Sequence, residues 1–137
     1  MRDVRNALPV QGPADLRPLL IALSLGACGG DKVDPTFTNV RDEVLLPSCG
    51  FSTCHGSGTG DLTLDEAGAY DALVDVDSAG SPGNTLVIAG DPDNSYLVRK
   101  LEGGPDIVGD QMPPGGELDA DRLQLVRDWI EAGALND

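Results

Sequence analysis

Apolar positions recur at helical spacing in four stretches of the chain. Phe37, Val40, Val44 and Leu45 fall at i, i+3, i+7 and i+8, which predicts a helix from about Thr38 to Leu46 that Pro47 stops. Ala67, Tyr70, Leu73 and Val74 predict a second, short helix over 65–74, weakened by Gly68. Thr85–Ala89 is a brief extended run. Asp91 followed by Pro92 reads as an N-cap with proline at the first helical position, opening a third helix to about Glu102 that buries Tyr96, Leu97 and Leu101. The last helix has the fullest set of signals. Asp119 caps it, Leu118 staples onto Leu123, Leu123, Val126, Trp129 and Ile130 form its apolar face, and Gly133 follows Ala132 at its end. Cys49–Asp61 and Gly103–Gly116 are rich in Gly, Ser and Pro and read as long loops, which in a compact domain point to function or a bound group. The pattern predicts an all-α domain of three to five short helices.

Residues 19–27 break this pattern with nine nearly continuous apolar positions. A transmembrane helix needs about 20. The run instead suits the hydrophobic region of a secretory signal, with Arg2, Arg5 and Arg17 as its positive flank. Leu25-Gly26-Ala27-Cys28 looks like a bacterial lipobox, in which the Cys28 thiol takes a diacylglycerol and becomes the new N-terminus. The expected organisation is a lipoprotein signal peptide over 1–27, a polar tether over 28–36 and one domain over 37–137. Its expected place is the bacterial cell envelope, lipid-anchored to the membrane and facing the periplasm. Gly29 is not an acidic retention residue, which favours the outer membrane over the inner.

The chain of 137 residues carries 9 Lys and Arg against 23 Asp and Glu, a formal charge of −14. Removing residues 1–27 leaves 6 basic and 21 acidic residues, net −15. Such a surface argues against a nucleic-acid partner, which needs clustered cations for phosphates. Only five residues are aromatic, so the core lacks large rings and invites a bound group to fill it.

The chemistry concentrates in Cys49-Gly-Phe-Ser-Thr-Cys54-His55-Gly56. Covalent haem attachment needs two thiols to add across vinyl groups and an adjacent imidazole for iron. Four residues separate the cysteines here where the common motif has two, a longer variant of that motif. His55 directly after Cys54 is the proximal-ligand signal, and Gly56 is expected to let the backbone pass close to the ring. With Met1 in the leader, Met112 is the remaining thioether, and it stands in a loop stiffened by Pro113 and Pro114. It is the candidate distal ligand. Leu62, Leu64, Tyr96, Leu97 and Ile107 are candidates for the pocket lining.

Beyond these readings, the chain resembles class I cytochromes c, and most closely the planctomycete-type cytochrome c domains of bacterial envelope lipoproteins. The stretches that carry the likeness are 52–56, 89–101, Gln111-Met112-Pro113-Pro114-Gly115 and 128–134, covering about residues 37–135. The resemblance implies a cytochrome c-like fold whose first and last helices pack together. It implies one haem c bonded to Cys49 and Cys54, with His55 and Met112 as axial iron ligands. With both axial positions filled, the expected function is electron transfer without catalysis, to a redox partner bearing a basic patch.

Three rivals use the same residues. A zinc site on Cys49, Cys54 and His55 lacks a fourth ligand, and adjacent residues converge poorly on one small ion. A thiol enzyme with Cys54 as nucleophile and His55 as base lacks an orienting third group. A haem-free envelope lipoprotein with a Cys49–Cys54 disulfide, acting as a structural or partner-binding module, fits an oxidising compartment.

Overall fold

A computed structural model describes residues 32–56, 61–65 and 67–137, all within one unit spanning Asp31–Asp137. The leader and Cys28 lie outside the described residues. Among the described residues the regular structure is mostly helical, without strands. No helix among them is long and apolar enough to cross a membrane.

The first helical stretch runs through three forms: α1 (Phe37–Val40), a π turn (Arg41–Leu45) and α2 (Leu46–Ser48). Thr36 caps it by accepting the Asn39 N–H at 3.2 Å. The stretch therefore passes Pro47 by one residue instead of stopping before it. The wide turn lies just ahead of Pro47, whose ring would otherwise press on the carbonyl of Glu43, four residues back. The Leu46 N–H reaches back to Arg41 O, five residues away. Val40, Val44 and Leu45 are fully buried on one side.

The second helix, α3 (Ala69–Leu73), is shorter than the pattern predicted. The Asp65 carboxylate accepts the Ala67 and Gly68 N–H groups, and residues 67–68 form a turn ahead of the helix. After α3 the chain meets itself at two isolated bridges, Val74 with Val87 in parallel and Asp77 with Thr85 antiparallel.

Asp91-Pro92 does not open a helix. The Asp91 carboxylate accepts the Asn94 N–H at 3.2 Å, which makes residues 91–94 a turn. Helix α4 (Tyr96–Glu102) starts after Ser95. The Ser95 hydroxyl is wholly buried, donating to Asp91 O at 2.8 Å and accepting the Ile88 N–H at 2.9 Å. The first N–H groups of α4 find carbonyls in the extended run, Tyr96 to Thr85 and Leu97 to Leu86, both at 2.9 Å. This pairing satisfies two otherwise orphaned donors and sets Leu86, Tyr96 and Leu97 beside one another.

Helix α5 (Ala120–Glu131) lies where the sequence signals put it. Asp119 accepts the Arg122 N–H at 3.0 Å, and Gly133 takes the positive φ of 107° that ends the helix. Its buried face, Leu125, Val126, Trp129 and Ile130, completes the core; Leu125 takes the buried place expected for Leu123, which is only half-buried against it. Phe37 on α1 packs edge-on against Tyr70 at 5.1 Å and tilted on Trp129 at 5.4 Å. The first and last helices thus meet, as the resemblance implies. Polar contacts close the same side: Tyr70 Oη donates to Ala134 O and Trp129 Nε1 to Leu135 O, each at 2.9 Å.

Candidate functional site

Away from the aromatic cluster, loops and helices line a half-open cavity of about 770 Å³, within the range of ligand and cofactor sites. Cys49, Cys54, His55 and Met112 all line it. The four residues singled out in the sequence, 63 positions apart at the extremes, therefore share one cavity. Most of the remaining wall is apolar, including Leu62, Leu64, Ala72, Val76, Leu86, Leu97 and Leu101.

The Cys49–Gly56 loop is held by its own backbone. Cys49 and Gly50 N–H groups both donate to Leu45 O at 2.8 Å, tying the loop to the end of the π turn. Phe51 O accepts from Cys54 and Gly56, and Cys49 O accepts from His55 at 3.1 Å. Both sulfurs are free, and the Thr53 hydroxyl lies 3.8 Å from Cys54 Sγ. Burial, and then the neighbouring Cys54 sulfur, push the Cys49 thiol up from 9.0 to about 11, so it is S–H at neutral pH.

Gly56 is required by the fold of the loop itself. A Cβ there would lie 2.2 Å from Gly50 O and 2.9 Å from the Phe51 carbonyl carbon. The loop closes on its own backbone, and only glycine lets it close.

His55 Nδ1 lies 3.1 Å from Leu62 O. A carbonyl only accepts, so Nδ1 donates to it, and in the neutral ring it is then Nε2 that carries the lone pair. The His55 carbonyl accepts from Leu64 N–H at 2.7 Å, so residues 62–64 grip the histidine at ring and backbone. Such a bond on the far nitrogen is what orients an imidazole that ligates a metal.

Met112 is half-buried and fastened to α4. Its N–H donates to Lys100 O at 2.8 Å, and Gln111 Nε2 donates to Leu101 O at 2.7 Å. Lys100 Nζ donates to the carbonyls of Val108 and Asp110. The Val108 N–H donates to Tyr96 Oη at 2.9 Å. Burial pushes the Tyr96 phenol up, but the Val108 N–H, the Ser81 hydroxyl and the charges of Lys100 and Arg99 outweigh it and hold the group below its ordinary range.

Of the expected lining residues, Leu62, Leu64, Tyr96 and Leu97 face the cavity. Ile107 does not: it packs against the core, and its exposed neighbour Val108 lines the cavity instead. Asp61, Asp77 and Lys100 are the charged lining residues that the sequence reading did not single out. For Lys100 a signal existed, because it stands four residues after Tyr96 and so shares its helix face.

The thiols, the oriented imidazole, the thioether and the apolar walls fit a covalently attached haem. A zinc site fits less well: no group of three or more His, Cys, Asp or Glu close enough to hold an ion occurs among the described residues. Comparison of the chain with protein-family models, with curated proteins and with solved structures found no match.

Proposed function

We propose that the domain is a single-haem c-type cytochrome with a cytochrome c-like fold, an electron carrier without catalytic activity. The observation that carries the reading is the convergence of Cys49, Cys54, His55 and Met112 on one apolar cavity. Cys49 and Cys54 would hold the haem covalently, each thiol forming a thioether to one vinyl group. His55 Nε2 supplies the proximal ligand, and the Leu62 carbonyl on Nδ1 fixes that ring and strengthens it as a donor. Met112 Sδ supplies the distal ligand from a loop that α4 holds in place. When bound, the haem provides one-electron chemistry by exchanging ferric and ferrous iron. The apolar walls would shield the haem from much of the water, and with His55 and Met112 both on iron no ligand position would be left for a substrate.

The same reading places Cys28 as the lipid anchor in the cell envelope. The net charge of −15 over residues 28–137 suits a redox partner with a basic patch, and electron exchange with it slows as ionic strength rises.

The test is haem staining after denaturing electrophoresis of protein matured by a c-type system. The wild type retains its stain, the double variant Cys49→Ser/Cys54→Ser loses it, and a wild type without covalent haem or Soret absorbance overturns the reading in favour of the haem-free module. Met112→Ala keeps the covalent haem, loses the weak far-red charge-transfer band of thioether-ligated ferric haem and lowers the reduction potential. A soft thioether favours ferrous iron more than water does. A mutant with unchanged band and potential removes Met112 from the ligand set.

A further inference from the structure

Among the described residues that line the cavity, Lys100 is the one lysine or arginine, in a domain where acids far outnumber bases. It does not stand alone. Its Nζ and the Tyr96 hydroxyl meet at one residue, Val108, whose carbonyl takes the ammonium at 3.0 Å and whose N–H donates to the phenol at 2.9 Å. The two side chains share a face of α4, four residues apart. Behind the Tyr96 ring, Arg99 stacks its guanidinium 5.2 Å from the ring centroid.

Donor capacity is left over at this spot. An ammonium has three N–H bonds, and two backbone carbonyls use two of them. The phenol oxygen accepts from the Val108 N–H and from the Ser81 hydroxyl, which leaves its own proton to give. Two donors, one of them charged, therefore border an apolar cavity. Elsewhere on the wall stand the carboxylates of Asp61 and Asp77, which repel an anion.

We propose that Lys100 and Tyr96 form a carboxylate clamp in the cavity, holding a propionate of the haem through Lys100 Nζ and the Tyr96 hydroxyl. The inference rests on the haem reading and deepens it. An apolar macrocycle with acidic arms needs walls that exclude water and one place that accepts charge. The clamp also couples two parts of the site. Lys100 O takes the Met112 N–H, so the residue that receives the carboxylate also anchors the distal-ligand loop.

The experiment is resonance Raman spectroscopy of the matured holoprotein, read at the propionate bending mode, with the reduction potential measured alongside. Lys100→Gln and Tyr96→Phe each shift the mode as a hydrogen bond is lost, Lys100→Arg restores it, and Lys100→Gln lowers the potential. A mode at the wild-type position in both Lys100→Gln and Tyr96→Phe overturns the clamp, even where the potential moves, since a distant charge alone would do that. Should Lys100→Gln also lose the far-red band, its loop has shifted, and Tyr96→Phe decides: a shifted mode supports the clamp and an unmoved one overturns it. A wild type that carries no covalent haem fails in a different way, overturning the haem reading and the clamp with it.

Discussion

The aromatic side of the domain and the cavity side are built on opposite plans. On the first, Phe37, Tyr70 and Trp129 interlock, and the Tyr70 and Trp129 polar atoms end on carbonyls of residues 134 and 135. That side is filled by its own side chains. On the second, leucines and valines surround about 770 Å³ of cavity, and loops rather than helices supply the two cysteines, His55 and Met112. Protein interiors are normally close-packed, so apolar walls around such a volume favour an occupant. The fold thus separates the packing that holds the helices from the packing that a bound group completes. With three of its five aromatic residues on the first side, the chain has little bulk left for the second.

The most direct way to break this comparison is Trp129→Ala. Trp129 is 1% exposed and touches both Phe37 and the C-terminal turn. Its loss costs about 4 kcal/mol by cavity formation and a broken hydrogen bond. If the two sides are separate, denaturant unfolding shows a similar loss with and without haem. A loss that disappears in the haem-loaded protein would mean that the occupant supports both sides alike.

Gly56→Ala probes the other side. The added methyl has no room against Gly50 O, so the Cys49–Gly56 loop must open, at a cost of about 3 kcal/mol. Haem attachment falls sharply, measured as haem per polypeptide. Compared in the haem-free proteins, Trp129 fluorescence of the folded state stays as in the wild type, because the aromatic cluster is not touched.

The contrast also explains what could be read in advance. Helix α5 was legible almost to the residue because cap, staple, apolar face and terminal glycine agree along one short segment. The Cys49, Cys54, His55 and Met112 set was legible because each residue type is scarce and chemically distinct. Loop geometry was not. Asp91-Pro92 carries a helix-start signal, yet the buried Ser95 hydroxyl and the carbonyls of Thr85 and Leu86 decide that α4 begins at Tyr96. These are tertiary partners with no local signature. Ile107 and Val108 are similar in character, and no periodicity in a loop tells which one faces inward. Pro47 marks a stop in sequence, but a π turn absorbs it. At Gly56 the sequence signals a close approach, but nothing in it tells that the backbone of residues 50 and 51 is what a side chain there would meet.

The smallest effect expected is one of pH, and it belongs to the cavity side before a haem is attached. Burial raises the folded Cys49 thiol from 9.0 to about 11. The folded state therefore binds a proton more tightly than the unfolded chain, so its stabilising contribution is complete below pH 9 and is lost as pH rises through about 11. Allowing for partial exposure of the group, the loss is about 1–2 kcal/mol. Alkylation of the haem-free protein reports the same group directly, with Cys49 reacting appreciably only as the pH approaches 11, since the thiolate is the nucleophile. In the matured protein a thioether at Cys49 has no proton to lose, and the alkaline destabilisation from this residue vanishes. A matured protein in which Cys49 still alkylates near pH 11 would show haem held through Cys54 alone, and the four-residue spacing would then be a single-thioether arrangement.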